Sequence, residues 1–112
     1  MRDYLQDILQ YIVIAERLID GITFEEFEED EKTILALTRA VEIVGEAAKQ
    51  VPISFREQYP DIAWRELIGM RDRLAQGYFS IDLNVLWTAA QQDLLMFKPT
   101  IQIMLDDLDK DT

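Results

Sequence analysis

Between Arg65 and Tyr78 the chain reads RELIGMRDRLAQGY, the stretch best suited to bind an anion. From Arg56 to Arg73 four arginines (56, 65, 71 and 73) stand against four acids (57, 61, 66 and 72), whereas acids dominate elsewhere. The planar guanidinium forks of Arg71 and Arg73 suit phosphate oxygens. Both arginines also fit a plainer structural role, with Asp72 between them as the local ion-pair partner that holds one fork in place. Gln76 follows Arg71 by five positions, roughly 140° around an uninterrupted helix, so the two would not share a face. Gly77 is placed to end that helix, and a left-handed or frayed turn would bring Gln76 back toward Arg71. Tyr78 would then sit on or just after the turn with its hydroxyl free. The alternative is that Tyr78 and Phe79 form a hydrophobic clamp over the helix end.

The rest of the composition limits what this stretch can do. The chain contains no cysteine and no histidine. That removes disulfides, thiolate nucleophiles, imidazole metal ligands and the Ser-His triad, and no metal site or cofactor is expected. Lys and Arg total 11 against 22 Asp and Glu, a formal net charge of −11. Such a surface repels phosphate backbones, so a generic nucleic-acid binder is disfavoured while a local basic site stays open. No segment approaches the ~18 consecutive apolar residues of a membrane span. The opening MRDYLQDILQ is amphipathic with two acids, unlike a secretory signal. A cytoplasmic protein that does not touch membranes is the simplest expectation.

The elements that must position the arginines are helical. Apolar residues from Asp3 to Ile19 recur at helical spacing, and Gly21 is a plausible terminator. The acidic run from Glu25 to Glu31 reads as a solvated approach to the next helix, which spans Asp30 to Gln50 and stops at Val51-Pro52. Gly45, Ala47 and Ala48 leave part of that helix small enough for close approach of another. Ile53 to Tyr59 reads as a short helical turn. A third long helix then begins near Ile62, with Asp61 as its possible N-cap, and carries Arg65, Arg71 and Arg73. The last helix runs from Asp82 to about Leu108, with Pro99 expected to kink or divide it, and the acidic tail from Asp106 is expected to fray. The 112 residues fit a single domain, 1–112. The expected fold is all-α: an up-and-down bundle of four main helices plus a short one.

MRDRLAQGYFSID resembles the signature segment of HepT-like proteins in the HEPN superfamily, whose usual form is arginine, four residues, histidine, any residue, tyrosine. Here it reads Arg71, DRLA, Gln76, Gly77, Tyr78. LTRAVEIVGEAAKQVP resembles the family's second helix, and PDIAWRELIGMRDRL the approach to its motif, so the likeness covers nearly the whole chain. It implies a homodimer whose two motifs face each other across a cleft. It further implies a metal-independent ribonuclease acting as the toxin of a toxin–antitoxin pair. The partner implied is a minimal nucleotidyltransferase (MNT-type) antitoxin, which in some members adds AMP to the motif tyrosine, here Tyr78.

The departure is Gln76, where the family has its histidine. Cleavage of RNA by its own 2′-hydroxyl needs a proton acceptor and a donor, and imidazole serves as either near neutral pH. Glutamine hydrogen-bonds but exchanges no proton. The resemblance thus assigns Arg71 to the scissile phosphate, Arg73 to the RNA backbone, Gln76 to the acid–base position and Tyr78 to AMP addition, in an enzyme weakened or inactivated by Gln76. The alternative is a non-enzymatic helical subunit that docks a minimal nucleotidyltransferase and presents substrate to it. The charge of −11 and the missing histidine favour the second reading, whereas the retained Arg71 and Tyr78 favour the first.

Overall fold

The computed structural model describes residues 1–74 and 82–110, and these are all-α. Helix α1 (Arg2–Ile19) buries Leu5, Ile8, Ile12 and Ala15, one stripe at three- and four-residue spacing. It ends where Asp20 turns extended and Gly21 takes φ +78°, a conformation open to glycine at no steric cost. Helix α3 (Glu31–Gln50) starts on Asp30, whose carboxylate accepts from the Thr33 amide at 3.1 Å and the Thr33 hydroxyl at 2.7 Å. These bonds hold the Asp30 carboxyl below the usual carboxylate range, the side-chain bond from Thr33 contributing most. Gly45, Ala47 and Ala48 are buried in α3, in keeping with the close helix contact their size permits.

Between these two helices the acidic run is more than a solvated approach. Phe24–Glu28 forms a short helix, α2, through a capping box: the Glu26 amide donates to Thr23 Oγ1 at 3.1 Å, and the Thr23 amide donates to Glu26 Oε1 at 3.0 Å. Folding the run this way seats Phe27 fully in the core, its ring centroid 5.1 Å from that of Trp87. Phe24 meets Trp87 edge-on at 5.7 Å.

After α3, a single turn, α4 (Ile53–Arg56), leads to a connector that is tied down twice. Tyr59 donates its hydroxyl to Asp107 at 2.7 Å, and its carbonyl accepts from Trp64 Nε1 at 3.2 Å. Helix α5 (Trp64–Leu74) begins three residues after the expected cap. The Ile62 amide donates to the Tyr59 carbonyl, closing a turn that delays the helix, and Asp61 remains exposed. Asp82 caps α6 (Leu83–Thr88), its carboxylate accepting from the amides of Asn84 and Val85.

The segment from Asp82 onward is one helical rod with one irregularity. Ala89–Asp93 forms a π-turn in which the Leu94 amide donates to the Ala89 carbonyl five residues back. Helix α7 (Leu94–Lys110) then runs undivided through Pro99, which lies exposed, where water can reach the carbonyl its missing N–H leaves free. The tail does not fray from Asp106: α7 stays helical to Lys110, held by the Tyr59–Asp107 bond and an Arg2–Asp109 ion pair. Helix α1 packs between α3 and α7, α3 packs between α1 and α5, and α6 touches both α3 and α5. Lys98 adds a 2.8 Å tie from α7 to Glu16 on α1. Among the described residues no polar or charged side chain is fully buried.

Candidate functional site

The arginines of the near-neutral window separate into different roles. Arg56 is structural: its Nε donates to the Val51 carbonyl and its Nη2 to the Lys49 carbonyl, both at 2.8 Å. These carbonyls belong to the C-terminal end of α3, which has no helical donors left for them and carries partial negative charge. Arg65 lies exposed in the first turn of α5.

Arg71 and Arg73 occupy the last turn of α5, following Leu67 and Met70, which anchor that helix in the core. A regular helix turns by about 200° between positions 71 and 73, so these positions fall on opposite flanks of the stripe that Leu67 and Met70 bury. Asp72, between them, is exposed. Gln76, Gly77 and Tyr78 lie outside the described residues. The end of α5 thus brings the first motif residue to the edge of a packed helix, on a backbone fixed by buried neighbours.

What the arrangement offers chemically is guanidinium at a helix end and no histidine or cysteine anywhere. Among the described residues no three acids stand close enough to hold a metal ion. No helix is long and apolar enough to cross a membrane.

Sequence reasoning missed a cleft on the adjoining surface, where Asp61, Glu66 and Met70 of the α5 region face Asp93, Met96 and Phe97 across about 270 Å³. Its walls come from segments some thirty residues apart, a pairing that no local pattern encodes. The nearest sequence signal is Met96, an apolar residue off the buried stripe.

An all-α bundle with an arginine pair closing its fifth helix defines the class, and comparison with known proteins places the chain within it. Residues 8–104 match the family model described as Ribonuclease HepT-like. A protein of Thermococcus cleftensis named "Probable ribonuclease HepT" is 43% identical over 97 residues, 87% of this chain and 88% of its own. A Caldanaerobacter subterraneus protein named "Putative RNase TTE0752" is 37% identical over 93 residues, 83% of each chain. No solved structure matches the chain. The chain belongs to the HepT-like ribonuclease family.

Proposed function

We propose that this protein is the toxin-type RNA endonuclease component of a HEPN/MNT pair, working without metal and impaired by Gln76. The observation that carries this reading is Arg71 at the end of α5, inside the family match over residues 8–104. In this reading Arg71 binds and polarises the scissile phosphate, and Arg73 steadies the flanking backbone. Gln76 can orient the 2′-hydroxyl by hydrogen bonding but cannot take its proton, which forfeits the ~10²–10⁴-fold that general acid–base catalysis supplies. Two chains form a homodimer, since a cleft built from one arginine motif per subunit needs a two-fold axis.

The decisive experiment is an RNA cleavage assay without divalent metal on the Gln76→His protein. Restored cleavage that Arg71→Ala abolishes supports the reading. A Gln76→His protein that cleaves no RNA pool points instead to the non-enzymatic subunit, an option favoured by the net charge of −11. Light scattering tests the dimer separately, and a monomer mass of 13.1 kDa at micromolar concentration rejects it.

A further inference from the structure

Helix α7 leaves an apolar strip uncovered. Leu95, Met96, Pro99 and Ile103 are all exposed, Met96 by 74% and Ile103 by 52%, and helical geometry places the four within roughly 100° of the circumference. At its Met96 end the strip runs into the cleft between α5 and the π-turn. The floor of that cleft is Met70 and Phe97, 1% and 8% exposed, and its rim carries Asp61, Glu66 and Asp93. The ion pairs of the described residues are Arg2–Asp109, Arg39–Glu42 and Lys98–Glu16, so none uses a rim carboxylate.

The chemistry of this surface selects its occupant. The cleft, about 270 Å³, falls just below the roughly 300–1,000 Å³ of small-molecule sites and has room for one long side chain. A Lys or Arg side chain suits it in both halves: its aliphatic stem covers Met70 and Phe97 while its charged head meets the carboxylates. Nucleic acid is repelled by the same carboxylates. A second copy of this chain brings its own charge of −11 against the rim. A free polyamine would fill the cleft yet leave the α7 strip bare. A polypeptide segment with basic and apolar residues at helical spacing covers both, and methionines such as Met96 adapt readily to such a face.

We propose that the α5–α7 cleft and the α7 strip together form a docking surface for a cationic amphipathic segment of a partner protein, a basic side chain entering the cleft. The surface is separate from the arginine motif and does not depend on RNA cleavage.

The chain has four methionines, two of them in this surface, which provides a site-specific test. The full-length protein is labelled with methyl-¹³C methionine and titrated with a short amidated helical peptide of leucine and arginine at i, i+3, i+4 spacing. The expected result is saturable movement of the Met70 and Met96 methyl signals, with Met1 and Met104 unmoved. Replacing the peptide's arginines by glutamates abolishes the movement. Combining Glu66→Gln with Asp93→Asn weakens it about tenfold or more, as loss of partly desolvated charge pairs requires. Ile103→Ser weakens binding without touching the cleft. The proposal is overturned if both peptides bind alike, if Met1 or Met104 moves instead, or if the carboxylate variants bind normally. Identical shifts from spermidine, with Ile103→Ser indifferent, replace the protein partner with a small polycation. Movement of Met96 on dilution alone assigns the strip to a second copy of the chain.

Discussion

Arg56 reaches back across the end of α3 and donates from Nε to the carbonyl of Val51 at 2.8 Å. The bond draws this arginine out of the apparent anion-binding window, because its charge is spent on α3's C-terminal dipole. Arg56→Ala should therefore lower stability by about 1–3 kcal/mol, the range for hydrogen bonds to charged groups, and leave RNA binding unchanged. Denaturant melts alongside an RNA gel-shift measure the two effects independently.

Acid should loosen the start of α3. Asp30 has its folded-state pKa depressed, chiefly by the Thr33 hydroxyl. A depressed carboxylate contributes stability that is present above its unfolded pKa, about 4, and is lost as pH falls through the folded value. Asn is an equally good cap without the charge. Urea midpoints of Asp30→Asn should match the parent near pH 7 and fall less steeply below pH ~4.

Phe27 is the largest contribution of α2 to the core. Truncating it to Ala should cost about 3–5 kcal/mol, against a total stability of about 5–15 kcal/mol for a domain. Because its ring lies 5.1 Å from Trp87, tryptophan emission should shift in the variant even before unfolding begins. An unchanged denaturation midpoint would mean that α2 does not pin the core.

The motif tyrosine offers a test of regulation. AMP on Tyr78 would place a phosphate beside the arginine-bearing end of α5 and compete with RNA there. Incubation with a cognate nucleotidyltransferase, ATP and magnesium should add AMP mass to the intact protein, and Tyr78→Phe should abolish the gain. Equal modification of the Phe variant would make Tyr78 a packing residue.

The long helices were legible because their signals are local. The α1 stripe ends at Ile19 as its spacing predicts, and Asp30 is the cap from which α3 starts. Helix α2 was missed although its signal, Thr23 three residues before Glu26, was present; the surrounding acids drew attention to charge instead of capping. The π-turn escaped because Leu86, Ala90 and Leu94 keep a four-residue spacing that an ordinary helix also shows. Arg56 was misassigned because its acceptors lie five and seven residues back, off any helical repeat. Of the candidate site, the charge contrast pointed correctly to α5 as the carrier of Arg71 and Arg73. The cleft beside it was invisible, since it exists only after α5 and α7 meet.

The π-turn at Ala89–Asp93 makes chain length itself a stability variable in this rod. Its extra residue works as a phase corrector: removing one residue there would restore an ordinary helix and rotate everything beyond it by about 100°. Ile101 and Met104 would swing out of the core, and Lys98 would lose Glu16. Gln91 and Gln92 are exposed, so replacing either changes little, whereas deleting either shifts the register of all seventeen residues of α7. At this point the fold tolerates a change of letter far better than a change of count.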